Sequence, residues 1–132
     1  MASIFTKIVN GELPSYKVAE DHKHLAFLDI RPLKLGHTLV IPKREQDYIF
    51  DLEETEFAEL SAFAHKVAKA IRKSVPCSRV GVVVLGMEVP HAHIHLIPIF
   101  KESDIRFDNP ALNLSEGEFK EVAQRIASNM HF

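Results

Sequence analysis

Apolar residues follow two different spacings along the chain. The first half carries short runs with the two-residue period of strands, at residues 16–19, 24–28 and 37–41. From Glu54 to Ser74 apolar residues recur at three- and four-residue steps, which predicts one amphipathic helix. Either Asp51 with Glu54 as a capping pair, or Thr55, is predicted to start that helix.

The second half predicts two more strands and a second helix. Residues 79–85 form a nearly continuous apolar run, which favours a strand covered on both faces, and residues 96–100 predict another strand. Ser115 and Glu118 are spaced as a capping box before a C-terminal helix. The predicted fold is α+β, in one domain over residues 1–132: an antiparallel sheet of about five strands with one long central helix and a C-terminal helix.

Composition narrows the possible classes of partner. The chain has 132 residues and a net charge of −2, and it shows no basic run that would favour nucleic-acid binding. Its single cysteine, Cys77, excludes an intramolecular disulfide and any metal cluster built on cysteines. The N-terminus lacks the apolar core of a signal peptide, and the apolar stretches are too short to span a membrane. We therefore expect a soluble, cytoplasmic protein with neither nucleic acid nor membrane as a partner.

The most unusual feature of the sequence is a row of histidines at positions 91, 93 and 95. On an extended strand they would share one face, with neighbouring attachment points about 6.6 Å apart and the outer two about 13 Å apart. Two of them could bind one metal ion, but the third could not join without a bend, and zinc would need a further ligand. Alternatively, the row supplies N–H donors and one nucleophilic ring nitrogen to a phosphate group. The spacing indicates a site in either case.

The histidine row and three other blocks resemble a known family. The segment His91–Ile97 matches the histidine-triad motif, in which histidines alternate with apolar residues. Residues 4–15, 26–32 and 36–43 are also typical of that family, in the same order and spacing. The sequence is thus similar to the histidine-triad (HIT) superfamily, and most similar to its nucleotide-binding, Hint-like and bacterial branch.

This resemblance implies a nucleotide-binding hydrolase or transferase that needs no cofactor and is commonly a homodimer. Such proteins act as nucleoside phosphoramidases or dinucleoside polyphosphate hydrolases, through a nucleotidyl-histidine intermediate on purine nucleotides or nucleoside phosphoramidates. His93 would be the nucleophile, His95 would donate to the α-phosphate, and His91 would orient the site. By position in their blocks, His37 would lie near the phosphate and Asp29 would accept hydrogen bonds from the ribose, although residues of these types are also common on surfaces and in turns. The residues matching the base pocket, which could equally be core residues, are Phe5, Ile8, Phe27, Leu28 and Ile30.

The sequence departs from the family pattern at two places. Ser3 and Thr6 stand where some members carry the cysteines of a structural zinc site, and Glu45 stands where many have a histidine, so we predict no structural zinc and no metal ligands. Glu88 replaces the Ser or Thr before the triad that assists the leaving group, and the preceding loop has no Asn. Glu88 would act either as a protonated general acid, or as the partner of a base elsewhere with changed leaving-group specificity. These departures leave two alternatives open: a nucleotide-binding protein with weak catalysis that acts through protein partners, and a metal-binding module.

Overall fold

A five-stranded antiparallel sheet forms the framework, as predicted. The computed structural model describes residues 2–132. The strands lie in the order β1-β2-β3-β5-β4, and the helices and strands are α1 (Ile4–Val9), β1 (Lys17–Glu20), β2 (His24–Leu28), β3 (Thr38–Pro42), α2 (Glu54–Ser74), β4 (Arg79–Val83), β5 (Ile94–Ile99) and α3 (Glu116–Ser128). Short 3₁₀ turns cover Ile49–Asp51 and Glu102–Ile105. No helix within residues 2–132 is long and apolar enough to cross a membrane.

The two faces of the sheet are covered differently because side chains alternate along each strand. One face of the sheet packs against α2 and α3 and forms the main core. The opposite face carries a smaller cluster covered by α1, made of Phe5, Leu25, Phe27, Leu39 and Ile41. Because the apolar cluster under α1 is the smaller one, that face of the sheet has space for polar side chains.

Both predicted long helices are present, with one difference in capping. Ser115 caps α3, since its hydroxyl accepts from the Glu118 N–H at 3.1 Å and the Glu118 carboxylate accepts from the Ser115 N–H at 2.9 Å. Helix α2 begins after Glu53, whose N–H donates to the carboxylate of Glu56 at 3.3 Å. The predicted span from Glu54 to Ser74 is confirmed, but the two predicted capping positions are wrong, because Asp51 belongs to a 3₁₀ turn and Thr55 already lies inside the helix.

Strand β4 is not covered on both faces, which corrects the prediction for residues 79–85. It lies at the edge of the sheet and ends at Val83. Val82 is 64% exposed and Leu85 is 56% exposed. The apolar run indicated burial, but an edge strand has a neighbour on one side only, and this chain alone leaves its apolar surface open.

Helix α1 was not predicted. Ser3 caps it, because the Ser3 hydroxyl accepts from the N–H of Thr6 at 3.0 Å. Phe5 and Ile8 lie three residues apart and both pack toward the cluster under α1. A serine cap followed by apolar residues at helical spacing was the signal, but the helix has only six residues, too few for periodicity to stand out.

Candidate active site

The histidine row lies where β5 enters the sheet, on the face covered by α1. His95 pairs with Leu39 of β3, and Ile94 pairs with Val40. Ile94 packs into the main core on the opposite face, so His93 and His95 on either side of it point toward α1. Strand β5 begins at Ile94 rather than at Leu96. The regular strand therefore covers only the last histidine of the row, and His91 lies in the bend before it.

His91 is fully buried and is held at both ring nitrogens. Its Nε2 lies 2.8 Å from the carbonyl oxygen of Pro42, which can only accept, so Nε2 carries the proton. Its Nδ1 then accepts from the hydroxyl of Ser3 at 2.8 Å. Burial lowers the pKa of His91, which favours this neutral form. His91 is thus fixed in one tautomer and has no ring nitrogen free for a ligand.

His93 is oriented by the main chain of its neighbour in the row. Its Nδ1 donates to the carbonyl oxygen of His91 at 2.7 Å. A neutral imidazole carries one N–H, so the lone pair of His93 lies on Nε2. The ring packs edge-on against Phe5, with centroids 5.1 Å apart, and against His95, at 5.0 Å. This geometry leaves the lone pair of His93 Nε2 free of any partner among the described residues.

A chain of hydrogen bonds fixes the tautomer of His95 through His37. The N–H of Leu33 donates to His37 Nδ1 at 3.1 Å, so the proton of His37 lies on Nε2. That Nε2–H donates to His95 Nδ1 at 3.0 Å, and therefore the proton of His95 lies on its own Nε2. The second ring thus presents an N–H donor beside the lone pair of His93. His37 is 1% exposed and lies behind His95, away from solvent.

Both of these histidines are neutral because of their surroundings. Burial lowers the pKa of His37 to about 4, against a smaller opposing effect of the Asp29 carboxylate. Burial, followed by the positive charge that His37 and His93 would carry when protonated, lowers the pKa of His95 to about 3. Near neutral pH the pair consequently keeps the tautomers described above.

The lowered pKa values predict that stability falls as the pH drops below about 6.5. The unfolded chain binds these two protons near the ordinary histidine pKa of 6.5, whereas the folded chain binds them only near pH 4 and 3. Between those values the unfolded state holds more protons, so the free energy of unfolding decreases by up to about 1.4 kcal/mol per pH unit for each histidine. Urea unfolding of wild type and His37→Phe between pH 7 and about 4.5 checks this. The His37→Phe variant should lose up to about half of this slope, whereas the control His65→Phe, on the exposed face of α2, should keep it; equal slopes in all three would contradict the prediction.

Asp29 lies at the end of β2, beside the histidine pair. Its Oδ1 accepts from the N–H of Arg31 at 2.9 Å, and its Oδ2 lies 3.5 Å from Nε2 of His37. Its side chain is partly exposed, so the carboxylate has capacity for further donors.

Asp29, His37 and His95 are close enough together to be considered as metal ligands, with ligand atoms within 4.8 Å of one another. The donors do not suit a divalent ion, however. Because the Leu33 N–H occupies Nδ1 of His37, a metal on Nε2 would require that ring to lose its remaining proton. The chemistry of this trio is that of a hydrogen-bond chain.

The apolar wall beside the row contains three of the five residues predicted for the base pocket. Phe5 and Phe27 meet edge to face, with ring centroids 5.5 Å apart, and Ile8 packs against the same cluster. Ile30 lies two residues beyond β2, is 71% exposed and does not belong to this cluster, so its place in the base pocket stays a prediction. Leu28 is different, because its side chain packs into the main core under α2 and α3. Its assignment to the base pocket is wrong, since alternation along β2 places Phe27 and Leu28 on opposite faces.

Glu88 lies in the irregular segment before the histidine row and is exposed. Within residues 2–132 its carboxylate makes no ion pair and no side-chain hydrogen bond. The alternative in which it pairs with a base elsewhere therefore has no counterpart in this structure. The neighbouring Val89 packs against the apolar cluster that contains Phe5, so the segment is held close to the row.

Phe107 also contacts the row, although its sequence position did not indicate it. Its ring lies edge-on to His95, with centroids 4.8 Å apart, and 6.3 Å from that of His37. Phe5 and Phe107 thus lie at opposite ends of the row. Phe107 belongs to an irregular segment after β5, where no periodicity indicated which side chains turn inward.

The positions that match the family's zinc ligands form a hydrogen-bonded cluster. The Glu45 carboxylate accepts from the Ser3 N–H at 2.7 Å and from the Thr6 hydroxyl at 2.6 Å. The hydroxyls of Ser3 and Thr6 replace thiolates, and both already take part in hydrogen bonds. This donor set does not fit a structural zinc ion, for which thiolate and imidazole are the usual ligands.

Comparisons with known proteins found similar sequences and similar structures over nearly the whole chain. The sequence profile described as "HIT domain" matches residues 10–102. An uncharacterized HIT-like protein from Borreliella burgdorferi is 38% identical, over 96% of this chain and 97% of that protein. An adenosine 5′-monophosphoramidase from Schizosaccharomyces pombe is 34% identical, over 98% of this chain and 99% of that protein. The crystal structure of a zinc-bound histidine triad family protein from Mycobacterium smegmatis has a TM-score of 0.83 at 27% identity, covering 98% of this chain and 93% of that one.

Proposed function

The chain belongs to the HIT family, and from this premise we propose that it is a nucleotide-binding hydrolase or nucleotidyl transferase. Its substrates would be purine nucleoside phosphoramidates or phosphoanhydrides, cleaved at the α-phosphorus. The observation that carries the proposal is the hydrogen bond from His93 Nδ1 to the His91 carbonyl, which leaves a lone pair on Nε2. The phosphoramidase activity named for the relative from S. pombe supports the substrate class.

The proposed reaction has two displacements at phosphorus. His93 Nε2 attacks the α-phosphorus and forms an N–P bond, while the bond from phosphorus to the leaving amine or phosphate breaks and its electron pair departs with that group. Water then attacks the nucleotidyl-histidine, the N–P bond breaks, and nucleoside monophosphate and free His93 result. Dividing one displacement into two through a covalent intermediate is the ordinary advantage of a nucleophilic side chain.

Neighbouring groups would stabilise the charge that develops on phosphate. His95 Nε2–H would donate to a non-bridging α-oxygen, and His37 would keep that proton in place without touching the substrate. Asp29 would accept from ribose hydroxyls through its remaining lone pairs. The base would lie against the wall formed by Phe5, Ile8 and Phe27, and the exposed Ile30 is proposed as a further contact.

Glu88 is proposed as the general acid toward the leaving group. It lies in the segment just before the row, is exposed, and makes no ion pair or side-chain hydrogen bond within residues 2–132, so its carboxyl group is available to a bound leaving group. Glu88→Gln is then expected to slow release of an amine leaving group by about 10²-fold or more, while a leaving group that needs no proton is affected little. Steady-state rates and pH profiles of Glu88→Gln and Glu88→Ser check this, and unchanged turnover with an unchanged pH profile in both variants would exclude the role.

A second candidate function is nucleotide binding with weak catalysis, acting through protein partners. The exposed Glu88, in place of a hydroxyl donor, favours it. The two functions are separated by incubating the protein with adenosine 5′-phosphoramidate and with adenylated lysine. Release of AMP by wild type supports the enzyme, whereas binding of AMP by calorimetry without turnover of either compound supports the binding module.

We also propose that the chain forms a homodimer through the edge of the sheet. The exposed β4, with Val82 at 64%, presents unpaired main-chain groups and apolar side chains of the kind that a second strand covers. On α2, Phe57 adds partly exposed apolar surface. Sedimentation equilibrium measures the mass directly, and a monomeric mass at concentrations of tens of micromolar would contradict the proposal.

A further inference from the structure

Glu45 connects helix α1 to the histidine row although it lies outside the sheet. One of its carboxylate oxygens accepts from the main-chain N–H of Ser3 at 2.7 Å and from the hydroxyl of Thr6 at 2.6 Å. Both donors belong to the first turn of α1. The carboxylate therefore fixes where this short helix begins, and it accepts the only proton of the Thr6 hydroxyl.

Because the Thr6 hydroxyl donates to Glu45, the hydroxyl that donates to His91 is that of Ser3. The Thr6 oxygen also lies 3.3 Å from His91 Nδ1, but its proton points to Glu45. Ser3 accepts from the Thr6 N–H at 3.0 Å, and its own proton has two acceptors in reach, His91 Nδ1 at 2.8 Å and the Thr6 oxygen at 3.3 Å. The shorter contact is the one to His91, which keeps its remaining proton on Nε2 for the Pro42 carbonyl.

The main chain beside Glu45 holds the other side of the same histidine. The carbonyl oxygen of Gln46 accepts from the N–H of Ala92 at 2.7 Å. The carbonyl of His91, the residue before, is the group that orients His93. Gln46 therefore contacts the row through its main-chain carbonyl, and Glu45 contacts α1 through its side chain.

We propose that Glu45 is a positioning residue for the reaction proposed above, acting through Ser3, Thr6 and His91 to hold the nucleophile and the base pocket in one fixed geometry; this inference rests on that proposed function. The base pocket is involved because α1 carries Phe5, which contacts the rings of both His91 and His93. The Thr6 hydroxyl and the Ser3 N–H lower the pKa of Glu45 to about 2, so the carboxylate stays ionised throughout the range in which the histidines work.

The side chain of Glu45 is exposed, and its removal deletes hydrogen bonds with little loss of packing. Glu45→Ala is expected to lower kcat/KM for adenosine 5′-phosphoramidate by about 10- to 100-fold, with KM raised as well as kcat lowered, because nucleophile and base wall lose their common anchor. Glu45→Gln keeps an amide oxygen that accepts from both donors and should stay within about threefold of wild type. Glu59→Ala, which removes an exposed ion pair to Lys23, is the matched control and should leave both constants unchanged.

Thr6→Val tests the same connection from the other side, since it keeps the shape of the side chain and removes its hydroxyl. It should reproduce the loss seen in Glu45→Ala, and the two changes together should cost little more than either alone. The proposal is overturned if Glu45→Ala and Thr6→Val, each folded, retain kcat/KM within about twofold of wild type.

Nitrogen-15 NMR of the imidazole rings makes the test independent of turnover. In wild type His91 should carry its proton on Nε2 and His93 on Nδ1. In Glu45→Ala the Thr6 proton is released and competes with that of Ser3 for His91 Nδ1, so the Nδ1 resonance of His91 should shift, whereas in Glu59→Ala it should stay in place. A wild type that never releases AMP would refute the proposed reaction alone, while an unchanged His91 Nδ1 resonance in Glu45→Ala would refute the role of Glu45.

Discussion

Replacing His93 by alanine is expected to lower AMP release from adenosine 5′-phosphoramidate by roughly 10⁴-fold or more. His93 Nε2 carries the only lone pair that the row presents, because both nitrogens of His91 are engaged and His95 presents an N–H. Without that lone pair the reaction has no covalent route, and the remaining donors provide only stabilisation of the phosphate. AMP affinity should change far less than turnover, since the base and ribose contacts remain.

The covalent intermediate provides a second measurement of the same prediction. Rapid quench at alkaline pH, which preserves phosphorus–nitrogen bonds to histidine, should show wild type heavier by one adenylyl group during turnover, and His93→Ala without it. His65→Ala, on the exposed side of α2, is the control for losing a histidine and should behave as wild type. An adduct that persists in His93→Ala, or a variant that retains a tenth of wild-type activity, would assign the nucleophile elsewhere.

The sequence predicted those parts of the fold that depend on local pattern. The 21-residue helix α2 has the predicted bounds because its apolar stripe is long and regular. Strand β4 was predicted as a strand but not as an edge, because burial depends on the order of strands in space, and nothing in an apolar run reveals its neighbours. Leu28 was misplaced for a related reason. All five residues of β2 are buried, so no polar position marks which face meets the site.

Most residues of the candidate site could be predicted from the sequence, but the hydrogen bonds that fix their tautomers could not. Three of the four histidines could be found from their spacing, and His37 from its block, but its place behind His95 depends on the main-chain N–H of Leu33. That contact arises from the conformation of a turn, which the sequence does not specify. Phe107 escaped prediction because its contact with His95 also depends on an irregular segment.

Converting three residues of the Glu45 cluster to zinc ligands is expected to create a metal site. In Ser3→Cys/Thr6→Cys/Glu45→His, two thiolates and two imidazoles would converge, since the hydroxyls of Ser3 and Thr6 lie 2.8 and 3.3 Å from His91 Nδ1 and the Glu45 carboxylate lies 2.6 Å from the Thr6 hydroxyl. The proton of His91 is already on Nε2, donated to the Pro42 carbonyl, which leaves Nδ1 free to bind metal and supplies the outer hydrogen bond that zinc-bound histidines usually have. The variant should retain about one zinc per chain after dialysis, and zinc at about 1,000 times its Kd should stabilise it by about 4 kcal/mol.

The expected stabilisation by zinc requires both new thiolates beside His91, so the control keeps the new histidine and removes only the thiolates. Ser3→Ala/Thr6→Ala/Glu45→His has the same new histidine and the same native Cys77 but no thiolate at the cluster, and it should neither retain zinc nor gain stability from it. Zinc measured by elemental analysis and unfolding midpoints measured with and without the metal decide the outcome. Equal zinc retention by the two variants would show that the ion binds elsewhere. If the first variant retains none, the side chains of residues 3, 6 and 45 do not converge on His91 as the hydrogen bonds indicate. A positive result would mean that the carboxylate and hydroxyls of residues 3, 6 and 45 occupy a place in this chain that can hold a metal ion, with His91 in the same orientation in both cases.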